Sequence, residues 1–344
     1  MTTLENCLRD NELYIIAEVA QTHDGSLGQA HAFIDAARDT GADAIKFQMH
    51  IADEESTEDE PFRINFSYED ESRYRYWRRM EFTREQWEGL KKHAEEAGLD
   101  FLCSPFSIEA VNILDDMGII GWKISSGEVF CQPLMERVIE TKKPMILSSG
   151  MSTIDDIDKQ ISLLEQNGIE HAILHCTTQY PAQYENIGLN LIPLLKARYP
   201  KSSIGFSDHS ARTCTPIAAI ALGATIIEVH LTLSKYMFGP DVCASLDVDD
   251  FSKMVKDARF VKSVLDSPID KTSIGLETQQ LKDIFTKGVY AKSSIKQGTP
   301  IKMEHLSFKK PFIGLSCNDL DAVIGRIAAR QIRQGEPIFL EDVI

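Results

Sequence analysis

The stretch PMILSSGMSTIDDIDKQISLLEQNGIEHAILHCTT (144–178) reads as one complete unit: a short apolar run, a longer segment of helical periodicity, then a second apolar run. PMILSSG (144–150) and AILHCTT (172–178) have strand length. Between them the helical segment opens with Ser152 or Thr153 ahead of Asp155 and Asp156. A hydroxyl followed by acids is an acceptable helix start, because it satisfies the orphan amides of the first turn.

Working outward, the same alternation recurs. Strand-length runs stand at LYIIAEVA (13–20), ADAIKFQMH (42–50), DFLCSPF (100–106), GWKISSGE (121–128), SIGFSDH (203–209) and TIIEVHLTL (225–233). A further helical stretch, TREQWEGLKKHAEEAG (83–98), opens with Thr83 and Glu85. Eight strand–helix units in about 250 residues predict a (β/α)8 barrel spanning residues 1–265, with its active site at the C-terminal ends of the strands. A doubly wound open sheet is the competing architecture. The polar residues fall where the barrel requires them: Glu18, Lys46 with Gln48, Ser104, Lys123 with Glu128, Ser148, Thr177 with Thr178, Asp208 with His209, and His230 each end a run.

Two segments depart from the alternation. The excursion 51–82 includes EPFRINFSYEDESRYRYWRRMEF, dense in aromatics and carrying Arg63, Arg73, Arg75, Arg78 and Arg79. It reads as a lid or wall at the barrel mouth, a partner contact or a solvated loop. From residue 266 the texture becomes polar, and 266–284 reads as a linker to a small β-rich domain at 285–344. Within that domain AKSSIKQGTPIKMEHL (291–306) and AARQIRQGEPIFLEDV (328–343) form a near-repeat offset by 37 residues. Two copies of one turn-and-strand unit predict internal pseudosymmetry in a domain too small to be an enzyme alone.

The chain has 344 residues, 36 Lys and Arg against 52 Asp and Glu, and a net charge of −16. That balance argues against electrostatic capture of nucleic acid or of an anionic membrane. Seven scattered cysteines without a C-x-x-C pair, no basic leader and no long apolar span predict a reduced cytoplasmic protein.

Three constellations carry chemistry. His209 and His230 end consecutive strands, so two imidazoles could share one divalent cation, although strand histidines also serve as core; Asp208 and Glu228 are placed to orient them. Lys46 and Lys123 lie inside apolar strands, where an unpaired ammonium is costly. With Ser126, Ser148, Ser207, Gly127 and Gly150 they form a cradle for a phosphate and a carboxylate, unless each pairs internally with Glu18 or Glu128. Glu18 and Glu128 are candidate proton-transfer groups. Asp241, on a Gly-Pro turn, is either a sugar-hydroxyl acceptor or a turn former.

The motifs IIAEVAQTHDGSLG, GADAIKFQMH, SPFS, WKISSGE, KPMILSSGMST, LHCTTQYPA, IGFSDHS, IEVHLTL and GPDVCAS occur in one order. Together they closely resemble the bacterial sialic acid (N-acetylneuraminate) synthases and their legionaminic and pseudaminic acid synthase relatives. The terminal repeat resembles that family's antifreeze-like (SAF) domain. The resemblance implies condensation of phosphoenolpyruvate with the open-chain aldehyde of an N-acetylated mannosamine-type sugar. Phosphate is released and a nine-carbon 2-keto acid forms. It implies His209 and His230 as ligands of Mn2+, or of Mg2+ or Co2+, which would polarise the aldehyde. Lys46, Lys123, Ser126, Ser148 and Ser207 match the phosphoenolpyruvate site, joined by Ser104 and Thr178 as substrate contacts. Gln48, Tyr180 and Asp241 match sugar-holding positions, and Glu18 and Glu128 take proton-transfer and positioning roles. It also implies a domain-swapped homodimer in which the small domain of one chain lids the barrel of the other. There Lys310 stands where the family commonly has the arginine that recognises the N-acyl group. Lysine lacks the planar guanidinium fork. Thr22-His23-Asp24 and Thr178 are two further departures, and all three bear on the sugar rather than on the reaction class.

Overall fold

The computed structural model describes residues 3–62, 64–273 and 275–344, so Arg63 of the excursion and Ile274 of the linker stretch lie outside the described residues. Eight parallel strands close into a barrel: β1 (Tyr14–Glu18), β2 (Ala44–Met49), β3 (Asp100–Pro105), β4 (Trp122–Ile124), β5 (Met145–Ser148), β6 (His171–Cys176), β7 (Ser203–Asp208) and β8 (Ile226–Thr232). Each pairs with the next, and β8 pairs back to β1, so the open-sheet alternative is excluded. A two-residue strand, β9 (Leu246–Asp247), pairs in parallel beside the C-terminal end of β8.

Strand side chains alternate between two surroundings, and this period of two builds the site. One set faces the surrounding helices and joins the large outer core: Ile15, Ala17, Ile45, Phe47, Phe101, Ile173, Phe206, Val229. The other set fills the barrel interior with Tyr14, Ile16, Ala44, Leu102, Ile146, Ala172, Leu174 and Ile226, plugged by Leu4 and Cys7 of the N-terminal helix Leu4–Asp10. Two residues further along the same interior rows, the apolar layers give way to Glu18, Lys46, Ser104, Ser148 and Glu228. A barrel interior filled from one end leaves its other end for chemistry.

The two helices read from sequence form at Arg84–Glu96 and Ile154–Gln166, each with a capping box, Thr83 with Gln86 and Thr153 with Asp156. The excursion 51–82 is a fixed wall. It carries two short helices, Ala52–Glu55 and Arg73–Met80, and Tyr76 and Met80 are buried. Arg79 pins it to the β1 loop through Asp24 at 2.6 Å and to its own Asp70 at 2.9 Å. Arg73 and Arg78 pair with Glu60 and Asp53, while Arg75 remains on the solvated side.

Residues Pro268–Ile344 form a second compact unit, separate from Met1–Ser267. The stretch read as a linker contains the helix Leu276–Phe285. In the rest, β10 (Gly288–Ala291) pairs antiparallel with β11 (Leu306–Lys309). The two repeats meet at their equivalent isoleucines: Ile295 N–H donates to the Ile332 carbonyl at 2.8 Å, and Ile332 N–H donates to that of Ile295 at 2.9 Å. The equivalent pairs Ala291/Ala328, Ile301/Ile338 and Leu306/Val343 all lie in its core, so the repeat is a pseudo-twofold about the Ile295–Ile332 bridge.

Gly205 on β7 shows how full the barrel interior is. A Cβ there would lie 2.2 Å from Leu174 Cδ2 and 2.5 Å from the Ile226 carbonyl oxygen. Gly205→Ala is expected to destabilise the protein by about 1–3 kcal/mol through overpacking, read as a lowered urea midpoint. An unchanged midpoint would show that β7 has room to move.

Candidate active site

The C-terminal ends of the strands bring two lysines and two carboxylates into one buried cluster. Lys46 Nζ lies 2.7 Å from Glu18 Oε2 and 3.8 Å from Glu228 Oε1. Lys123 Nζ lies 3.5 Å from the same Glu228 oxygen and donates to Ser148 Oγ at 2.6 Å. Ser207 Oγ also donates to Glu228 Oε1, at 3.0 Å, and Lys46 donates to Ser104 Oγ at 3.4 Å. All four charged side chains are at most 4% exposed.

The charges are unequally compensated. Burial would lower the Lys46 pKa, but Glu18 and Glu228 outweigh it and the shift is upward. For Lys123 burial wins over Glu228 and the pKa falls, so its ammonium is under-compensated. Glu228, buried yet held by Lys123 and Lys46, is pushed down to about 2. Burial moves Glu18 upward against the pull of Lys46.

Two residues after Ser148, which accepts from Lys123, the chain is closely packed at Gly150. A Cβ on Gly150 would sit 2.8 Å from both Ser126 Oγ and Cys176 Sγ and 3.2 Å from Thr178 Cγ2, and Gly150 N–H donates to Ser126 Oγ at 3.2 Å. Ser126, Cys176 and Thr178 thus close tightly around Gly150, which leaves no room there for a side chain.

His209 and His230 stand at the same mouth with ring centroids 5.2 Å apart. Tyr180 stacks on His209 at 4.1 Å and meets His230 edge-on at 5.6 Å. His209 Nδ1 bonds the Thr177 carbonyl at 2.5 Å, which makes Nδ1 the protonated nitrogen and leaves Nε2, 3.1 Å from Tyr180 Oη, with its lone pair. His230 Nδ1 is buried without a hydrogen-bond partner among the described residues. Burial holds His209 down at about 4 and His230 well below the usual range, so both rings are neutral at pH 7. Two neutral imidazoles, one oriented by a carbonyl and one with an orphaned nitrogen, fit a divalent cation with positions left for other ligands. Among the described residues no third His, Cys, Asp or Glu completes a metal-binding group with them.

Between the neighbouring strands β1 and β2, Gln48 Nε2 donates to Glu18 Oε1 at 2.8 Å, and Gln21 Nε2 donates to Gln48 Oε1 at 3.0 Å. Asp241, half-buried after β8, accepts from Gln21 N–H at 3.4 Å.

Two sequence readings need correction. Glu128 does not neutralise a lysine: it sits half-buried in a short 3-10 turn, pushed up to about 7 by burial and then by Glu55. The carboxylate beside the lysines is Glu228, whose signal was its spacing of two from His230 on one strand. Asp208 orients no histidine. It faces the other way and accepts from Ser210 and Thr215, fixing the loop after β7. Lys310 lies in the second unit, exposed, with its ammonium 4.9 Å above the Phe285 ring.

Similarity to known proteins identifies the family. Residues 33–270 match the NeuB family and residues 286–344 the SAF domain. The N,N'-diacetyllegionaminic acid synthase of Campylobacter jejuni is 32% identical over 94% of this chain and 98% of its own. Human N-acetylneuraminate-9-phosphate synthase is 31% identical over 86% of this chain and 82% of its own. The crystal structure of the N-acetylneuraminic acid synthetase of Leptospira borgpetersenii in complex with citrate superposes with a TM-score of 0.70 at 28% identity, covering 79% of this chain and 90% of that one. The barrel that builds this mouth, and the pseudosymmetric unit after it, make the chain a member of the NeuB family with a C-terminal SAF domain.

Proposed function

We propose that the barrel condenses phosphoenolpyruvate with N-acetylmannosamine in a divalent-metal-dependent reaction that yields N-acetylneuraminate and phosphate. Membership of the NeuB family supports a carbon–carbon bond-forming transferase acting on phosphoenolpyruvate and a sugar. The observation that carries the reading is the buried ammonium of Lys123, whose carboxylate contact, Glu228 Oε1, lies 3.5 Å away and is shared with Lys46, because a buried cation so placed calls for a further anion. The chain has no helix long and apolar enough to cross a membrane among its described residues.

In this reading Lys46 and Lys123 neutralise the carboxylate and phosphate, while Ser104, Ser126, Ser148, Thr178 and Ser207 surround them with hydroxyls. C3 of the enolpyruvate forms a bond to the aldehyde carbon, whose oxygen takes up a proton; water then adds to C2, and the C2–O bond to phosphate breaks to leave the ketone. His209 and His230 would hold the cation, which supplies Lewis-acid polarisation of the aldehyde when bound. Gln48, Tyr180 and Asp241 hold the sugar, and Glu18 and Glu128 exchange the protons. Glu128, poised near 7, suits a group that both gives and accepts a proton at neutral pH. The chain is proposed to work as a homodimer in which the SAF domain of one copy brings Lys310 to the sugar's acyl group in the other.

A second acceptor, a 2,4-diacetamido-trideoxy hexose, is favoured by the Campylobacter relative and by lysine at 310. Phosphate release with Mn2+, read with mass detection of the nine-carbon acid, separates the two. Turnover of N-acetylmannosamine is expected. Turnover of the diacetamido sugar alone moves the chain to the legionaminic branch, and no phosphate release with either sugar overturns the reading.

Lys123→Met is expected to lower kcat/KM for phosphoenolpyruvate by about a hundred- to a thousandfold, the scale of losing one buried electrostatic donor. A parental value would detach Lys123 from the anion. Glu128→Gln is expected to flatten the limb of the pH–rate profile near pH 7, and a limb that persists would remove Glu128 from proton transfer.

A further inference from the structure

His50, at the end of the β2 run, belongs to none of the groups above. Its ring lies between Trp77 of the excursion wall at 4.0 Å and Phe106 at 4.2 Å, nearly parallel to both. Its Nδ1 lies 2.7 Å from Glu55 Oε1 and its Nε2 3.2 Å from Gln48 Oε1. Gln48 in turn bonds Glu18, the partner of Lys46.

The direction of each bond follows by elimination from the Lys46 end. Glu18 faces the Lys46 ammonium through Oε2 and the Gln48 amide through Oε1, so it is an acceptor at both oxygens and ionised. Gln48 must therefore turn its NH2 to Glu18 and its carbonyl to His50 and Gln21. His50 Nε2 must then carry a hydrogen. If the ring is neutral, Nδ1 is an acceptor and Glu55 must be the donor, as a protonated acid. The alternative is an imidazolium facing a carboxylate.

The surroundings choose the neutral pair. The His50 side chain is 3% exposed between two apolar rings, and burial, with Arg73 adding to it, pushes its pKa down to about 3 against Glu60 and Glu81. Burial, then Glu60 and Glu81, pushes Glu55 up to about 8 against Arg73. Glu128 also faces Glu55, a further carboxyl group beside it. His23 faces the ring from the β1 loop; it is itself held neutral by burial and adds no charge.

We propose that His50 and Glu55 are positioning residues: a one-way chain from the Glu55 carboxyl O–H to His50 Nδ1, from His50 Nε2–H to Gln48 Oε1, and from Gln48 Nε2–H to Glu18 fixes the Gln48 amide toward the sugar. Successive bonds of one polarity reinforce each other, and the stacked ring cannot turn to offer the other tautomer. The inference rests on the proposed sugar-side role of Gln48 and adds the device that sets that amide's orientation. It also ties the excursion wall to the reacting end of the barrel, since Trp77 supplies one face of the stack and Glu55 the terminal donor.

Two measurements on the full-length protein test it. With 15N-labelled histidine, and the His50 signals identified by their loss in His50→Gln, the ring at pH 7 is expected to show a protonated Nε2 and a bare Nδ1. A doubly protonated ring or the opposite tautomer overturns the chain. In steady-state kinetics with phosphoenolpyruvate and the accepted sugar, His50→Phe, which keeps the aromatic stack, and Glu55→Ala are expected to raise the sugar KM at least fivefold, with the phosphoenolpyruvate KM within twofold. Glu55→Gln, which keeps an N–H for Nδ1, is expected to stay within threefold of the parent protein; a loss equal to that of Glu55→Ala counts against the neutral donor. His50→Phe should add less than twofold on a Gln48→Ala background, whereas independent multiplying effects overturn the coupling. If Gln48→Ala leaves the sugar KM unchanged, the sugar-side reading of Gln48 fails, and the tautomer measurement still decides the chain.

Discussion

One carboxylate oxygen organises this molecule's mouth. Glu228 Oε1 is approached by Lys46, Lys123 and Ser207, donors from three different strands, inside a barrel filled beneath by Ile16, Leu102, Ile146, Leu174 and Ile226. Burying two ammoniums is tolerable because Glu228 and Glu18 stand between them; removing one partner of such a group leaves an uncompensated charge at a cost of about 3–5 kcal/mol. The pairing is nevertheless incomplete. Lys46 has two carboxylates and Lys123 shares one with it, so Lys123 keeps a residual positive character. A chain with a net charge of −16 thereby presents a cationic point to a small anion, a local field set against the global one.

The fold was legible because parallel strands covered on both faces read as continuous apolar runs, and eight of them at regular spacing leave few architectures. The polar ends of those runs were legible for the same reason: an interior row cannot switch from Ile16 to Glu18, or from Ala44 to Lys46, without a polar cavity above it. What the runs do not reveal is which partner each charge takes. Glu128 follows Lys123 in the chain, but the strand ends at Ile124 and the turn carries Glu128 away toward Glu55; Glu228, a hundred residues on, is brought back by closure of the barrel. Asp208 and His209 are neighbours in sequence and face opposite ways for the period-two reason that unites Glu228 with His230.

The excursion was the least legible element. Its charges suggested a solvated face, and Arg75 is indeed solvated, but the aromatics between the charges decide its position. Tyr76 is buried and Trp77 stacks on His50, while Arg79 is satisfied by Asp24 and Asp70 at once. Nothing in the spacing of 51–82 marks which face of Arg73–Met80 turns inward, because its partners lie on the β1 and β2 loops.

The division of labour follows from where rigidity is available. The lysines proposed to meet the dianion sit on strands, where both neighbours in the sheet hold the backbone, as for Lys46 between β1 and β3. Two of the groups proposed to meet the sugar come from loops, Tyr180 after β6 and Asp241 after β8, while Gln48, on β2, is tied to loops through its bonds to Gln21 and His50. Loops vary without unsettling a barrel. An acceptor site built on them can change its acyl specificity while the lysine–glutamate cluster beneath remains fixed. A site built the other way round would have to disturb the buried charges each time the sugar changed.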